Sequence, residues 1–165
     1  MIDSAQQQLE FFIQATKILF LDIERWTNKL NLDCKLSPIS ITEEACGTYS
    51  IDKLVLQSKQ GGKIAEVIPI AAFVLGANGR IDINGIFDSI TIIHLNKGGP
   101  SMTQTHHDED DKPYITRVHY FYRGIEESGW YWIENKVSRK GHRIGEEVFV
   151  DILMDISDYE YSRYA

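Results

Sequence analysis

From Leu9 to Leu30 the chain repeats large side chains every three or four positions. Leu9, Phe12, Ile13, Thr16, Leu19, Phe20, Ile23, Trp26 and Leu30 fall along one stripe of a helix. Phe11, Ile18 and Leu21 lie beyond that stripe, so the predicted helix has an apolar surface too broad to be covered from one side. Such an element is either central to the fold or a partner-binding surface. Asp3 or Ser4 is its expected N-cap. The helix is expected to fade between Asn28 and Asn31, and Pro38 forbids its continuation.

A connector is expected from Leu32 to Cys46, after which the period falls to two and β-branched and aromatic residues dominate. Tyr49 and Ile51 differ in parity from Leu54 and Leu56, which predicts a bulge around Asp52 and Lys53. Gly61-Gly62 marks a turn. The apolar run from Ile64 to Leu75 reads as a strand in which Pro69 belongs at an edge, at a bulge or where pairing switches. Asn78-Gly79, set between Phe73-Val74-Leu75 and Ile81-Asp82-Ile83, predicts a two-residue type I′ hairpin. A further strand is expected within 86–95.

From Asn96 to Lys112 the chain turns to Gly, Pro, Ser, Thr and acids, which predicts a long mobile loop. Two aromatic-rich segments, 114–122 and 130–134, then read as a second hairpin. Val148, Phe149, Ile152, Leu153 and Ile156 return to helical spacing. The expected fold is therefore α+β: a long N-terminal helix, about six strands of a mainly antiparallel twisted sheet, and a short C-terminal helix, in one domain over 1–165.

Three clusters offer chemistry. His106, His107, Asp108, Glu109, Asp110 and Asp111 bring imidazoles and carboxylates together, a donor set suited to a divalent cation, although neighbouring residues do not share a face. Glu134 and Lys136 at a strand end match half of a metal-dependent nuclease site, in which an acid holds Mg²⁺ and a lysine steadies developing charge; Asp111 is a candidate for the second acid. Arg139, Lys140 and Arg143 follow Trp130 and Trp132 closely, an aromatic and cationic strip of the kind that holds single-stranded nucleic acid. A pocket between helix and sheet, lined by Trp26, Phe73, Tyr120 and Trp132, is a further expectation.

Composition narrows these readings. Among 165 residues the formal net charge is -7, which opposes a non-specific grip on phosphate backbones and makes nucleic acid an unexpected partner. Cys34 and Cys46 do not make a disulfide framework and are expected to be free thiols. The polar start Met1-Ile2-Asp3-Ser4 does not open a signal peptide, and the early apolar segment is too short to span a bilayer, so a cytoplasmic location without membrane contact is expected. No serine elbow or phosphate-cradling glycine loop is found, hence no cofactor is expected and enzyme activity has no motif behind it. The leading expectation is a non-catalytic module that acts by protein contact, of adaptor, immunity or chaperone-like type. It would associate with another protein or itself through the first helix or the aromatic hairpin. A metal-dependent hydrolase or nuclease, or a single-strand binder, is the alternative.

Overall fold

The computed structural model describes residues 4–160. Among them the order is α1 (Ser4–Asn28), β1 (Leu32–Glu43), β2 (Gly47–Ser58), β3 (Lys63–Ala71), β4 (Arg80–Gly85), β5 (Ser89–Leu95), β6 (Ser101–His107), β7 (Pro113–Tyr120), β8 (Gly129–Ile133), β9 (Gly141–Arg143) and α2 (Glu146–Ile156). Seven strands form one sheet in the order β1-β2-β3-β4-β5-β8-β9, while β6 and β7 form a separate two-stranded sheet. Every strand pair is antiparallel. This is the expected α+β architecture, with nine strands instead of about six.

Both helices join one face of the large sheet in a common core. Phe12, Phe20 and Ile23 of α1 and Phe149 and Leu153 of α2 meet Leu54, Val67, Ile81, Ile83 and Ile92, and Trp26 packs on Phe149 at 5.9 Å between ring centroids. The alternation of β4 explains the sidedness: Ile81 and Ile83 are fully buried, whereas Arg80 and Asp82 point the other way and pair at 3.0 Å. A smaller cluster of Leu95, Ile125 and Tyr131 occupies the opposite face near β5 and β8. No helix among the described residues is long and apolar enough to cross a membrane.

Two close approaches lock the layers. The C-terminal end of α2 sits on the β4–β5 turn, where the Phe87 and Asp88 amides donate to the Ile156 carbonyl at 2.9 and 3.3 Å. A side chain at Gly85 would place its Cβ 2.1 Å from that same oxygen, so only glycine admits the contact. At the other end of the core, Gln8 of α1 donates from Nε2 to the carbonyls of Ala72 and Asn78 at 2.9 and 2.7 Å, clamping the β3–β4 connection.

The structure corrects several local expectations. The expected connector is a 12-residue strand, because β1 is the sheet edge and Pro38, lacking an N–H, is tolerated there. The β1–β2 register runs unbroken through Asp52 and Lys53; the irregularity lies in the β2–β3 pairing, where Leu56 opposes Ala65 and Gln57 opposes Lys63, so the extra residue is Ile64 of β3. Both parities of β2 bury side chains, Ile51 with Val55 and Leu54 with Leu56, so mixed parity there did not require a bulge. Pro69 does lie at a register shift, as expected.

Asn78-Gly79 is not the hairpin turn. The chain reverses at Leu75 and Gly76, Asn78 lacks a positive φ, and the Asn78 amide donates to the His94 carbonyl at 2.8 Å as in a strand. Gly79 serves packing: at φ 153° its missing side chain makes room for the Phe12 ring, which an added Cβ would approach to 2.3 Å. Ser4 is already helical and Asp3 lies outside the described residues, so the expected N-cap is not Ser4.

The segment 96–112 contains the whole of β6, and β7 pairs with β6 rather than with the Trp130 strand. β8 pairs instead with β5 and with β9, a short strand inside the basic connector. The long helix, the turn at Gly61 and the closing helix are as expected.

Candidate functional site

The β6–β7 arm stands apart from every other element in its burial. All seven residues of β6 and all eight of β7 are exposed. Its register opposes Ser101 to Tyr120, Thr103 to Val118, Thr105 to Ile115 and His107 to Pro113. Directly opposed residues of an antiparallel pair share a face, so Tyr120, Val118, Ile115 and Pro113 line one side of the ribbon. Met102, Gln104 and His106 lie opposite His119, Arg117 and Tyr114 on the other side, where the His106 and Tyr114 rings sit 6.1 Å apart.

This apolar face depends on a bulge. The register shifts between Gln104 and Thr105, leaving Thr116 without an opposed partner. Strict alternation would send Ile115 and Val118 to opposite sides; the extra residue returns them to one. Ile115 is 66% exposed and Tyr120 61%, so the face meets solvent directly.

At the arm's base, where the chain leaves β7, lies a recess of about 530 Å³ lined by Phe121, Tyr122, Ile133, Asn135, Lys136 and Arg139. The two cations here have no salt bridge among the described residues. On α1, Phe11, Ile18 and Leu21 are all exposed large apolar side chains, as their position off the helical stripe predicts.

The sequence-predicted clusters disperse. Asp108 to Asp111 form the tight turn of the arm: Asp108 Oδ1 accepts from the Asp110 and Lys112 amides at 3.0 and 2.8 Å, which makes it a turn residue. His106 faces away from His107, whose Nδ1 lies 3.8 Å from Asp111 Oδ1. No group of three or more His, Cys, Asp or Glu side chains among the described residues is arranged to hold a metal ion.

Glu134 is engaged locally, accepting from Ser138 Oγ at 2.6 Å and lying 3.3 Å from His142 Nε2. The Ser138 hydroxyl first, and His142 after it, hold its carboxyl below the usual carboxylate range. Lys136 turns to the apolar recess, and Asp111 is at the arm's far end. Glu134, Lys136 and Asp111 therefore do not converge on one cleft.

The expected aromatic and cationic strip also divides. Trp130 is buried beneath α1, with Phe12 at 6.4 Å and His94 at 5.2 Å, and Trp132 stacks on His142 at 4.4 Å beside α2. Arg143 pairs with Glu127 at 2.9 Å and shares a cavity with Trp130, so these two of the expected residues do come together, while Arg139 adjoins Phe121 and Tyr122 instead. The pocket expected from Trp26, Phe73, Tyr120 and Trp132 does not form, since Trp26 and Trp132 line different cavities and Tyr120 is on the arm.

Sequence reasoning missed the arm because β6 carries no buried position to reveal a period. The available signal was the β7 string itself, apolar at 115, 118 and 120, which fits one face only with a bulge.

Fold and surface together define an α+β protein with one helix-covered sheet and one uncovered ribbon. No protein-family model, curated protein or solved structure matches this chain.

Proposed function

We propose that this protein is a non-catalytic interaction module whose working surface is the β6–β7 arm and the recess at its base. The observation that carries the reading is the arm itself: every residue is exposed, yet one side presents Pro113, Ile115, Val118 and Tyr120 together. A two-stranded ribbon standing alone is marginal in water, and gains from a surface that covers its apolar side. Exposed apolar patches on a folded protein mark such contacts.

The partner is another protein that sets an apolar patch on this face and carboxylates near Lys136 and Arg139. That arrangement is the apolar centre and polar rim of a protein interface. A cytoplasmic setting belongs to the same proposal, and the two free thiols, Cys34 and Cys46, support it.

A photo-crosslinking residue in place of Val118 tests the reading in the cell of origin, with the same residue in place of exposed Lys59 as control. The expected result is an adduct of defined mass from position 118 and none from 59, lost when Ile115→Asp is added. Equal adducts from both positions, or none from 118, overturn the proposal. An adduct with twice the mass of the chain assigns the partner as a second copy.

A further inference from the structure

Between α1 and the β5–β8 end of the sheet lies a half-open cavity of about 310 Å³. It is close to the lower limit of small-molecule sites, about 300 Å³. Its walls are Phe11, Ile18, Trp26, Trp130 and Ile144, and His94 forms part of its floor. His94 is 9% exposed and stands edge-on between Phe11 and Trp130, at 5.0 and 5.2 Å with interplanar angles of 80° and 88°.

The hydrogen-bond arrangement around this imidazole fixes what it presents. Asn78 Nδ2 donates one hydrogen to Asn96 Oδ1 at 2.9 Å and directs the other at His94 Nδ1, 3.2 Å away. Nδ1 is thus the acceptor, and the proton of the neutral ring sits on Nε2. Burial pushes the His94 pKa down, which favours this neutral form.

Nε2 has no hydrogen-bond partner among the described residues. It is also not sealed in protein: among the described residues the buried side-chain atom without a partner is Thr16 Oγ1, at a different cavity, and His94 Nε2 is not such an atom. A donor that has no partner and is open to a cavity is a recognition group. Arg143 lines the same cavity and brings a second set of donors.

We infer that this cavity is a binding site for a small single-ring aromatic acid. The ring would lie among Phe11, Trp26 and Trp130, and the carboxylate would accept from His94 Nε2–H and the Arg143 guanidinium. Glu127, 2.9 Å from Arg143, competes for that cation and sets the acid's affinity. Asp22, also at the cavity, is engaged by Arg25 at 3.0 Å and adds a rim of the same sign as the ligand. The site is separate from the arm, so its failure and that of the interaction reading are independent.

Sodium benzoate is the probe, with benzyl alcohol as its uncharged counterpart. Two of the cavity residues are tryptophans, so intrinsic fluorescence reads occupancy, and the His94 ring-proton NMR signal reads the contact. We expect saturable binding of benzoate with a shifted His94 signal, and benzyl alcohol weaker by about tenfold or more.

His94→Phe keeps the ring contacts and removes the donor; it is expected to weaken benzoate by about tenfold while the folded circular-dichroism spectrum is retained. Ala15→Leu, which fills the cavity from α1, is expected to abolish binding, and Glu127→Gln to tighten it. The inference is overturned by absence of saturable benzoate binding, by equal affinity for benzyl alcohol, or by binding that both His94→Phe and Ala15→Leu leave unchanged.

Discussion

The large sheet and the β6–β7 arm are built from the same antiparallel pairing, and they are supported in opposite ways. In the large sheet, Ile81, Ile83 and Ile92 are wholly removed from water by two helices. In the arm, Ile115, Val118 and Tyr120 share one face, and each is exposed. Burial of one such side chain contributes roughly 1.5–3 kcal/mol, so the sheet holds its own stability and the arm leaves its share ungained. A difference of this kind separates residues that hold the fold together from residues that the fold does not need.

The largest expected effect lies on the folded side of that contrast. Phe149 of α2 is fully buried against Trp26. Phe149→Ala is expected to cost about 3–5 kcal/mol in urea unfolding, a large share of the roughly 5–15 kcal/mol by which such domains are stable. A cost below about 1 kcal/mol would mean that α2 is not part of the core.

A second prediction tests how the outer hairpin is fastened to the core. Glu43, at the end of β1, accepts from the Ala72 and Phe73 amides at 2.9 and 3.1 Å and from Tyr49 Oη at 2.6 Å. Burial, and then the hydrogen bond to Glu43, push the Tyr49 phenol upward, so it remains a donor at neutral pH. Glu43→Ala leaves two amides and a hydroxyl without their acceptor and is expected to cost about 1–3 kcal/mol. Equilibrium unfolding measures it, and hydrogen exchange at Ala72 and Phe73 should accelerate in step.

How much of this was legible in the sequence follows the same division. The stripe from Leu9 to Trp26 gave α1 directly, because burial imposes a period on a chain. The off-stripe Phe11, Ile18 and Leu21 were recognisable as surplus for the same reason. β6 was not legible, since Ser101 to His107 owes its strand to pairing with β7 and none of its residues is buried.

The cavity at His94 was hidden for a different reason. Phe11, Trp26, His94, Trp130 and Arg143 come from three distant parts of the chain, and only the sheet order β5-β8-β9 brings the last three beside one another. Asn78-Gly79 misled because its turn propensity was overruled by tertiary contacts, the Phe12 ring on Gly79 and the bond to His94.

A smaller effect comes from His94. Because burial lowers its folded pKa below the ordinary 6.5, the unfolded chain takes up a proton before the folded one does. Stability is therefore insensitive to this group above about pH 6.5 and falls as pH drops from there towards the folded value. His94→Phe cannot titrate. The stability difference between wild type and variant, followed by thermal unfolding from pH 7.5 to pH 5, is expected to narrow or reverse in the variant's favour as the medium becomes acidic. A constant difference across that range would show that His94 titrates normally.

The smallest expected effect is the most informative about the arm. Ile115→Asp replaces a 66% exposed side chain and removes no buried contact, so the isolated protein should change by no more than about 0.5 kcal/mol. If the arm instead packed against some other part of the molecule, the same substitution would bury a carboxylate and cost several times as much. Hydrogen exchange sharpens the test, because amides of an unsupported ribbon should exchange faster than those of β4 or β5 by orders of magnitude. Slow exchange in the wild-type arm, made fast by Ile115→Asp at unchanged global stability, would mean that the face is covered in solution, and dilution would then distinguish a second copy of the chain from a tightly held partner. Fast exchange in both, with no partner added, is the result expected of a surface held open for one.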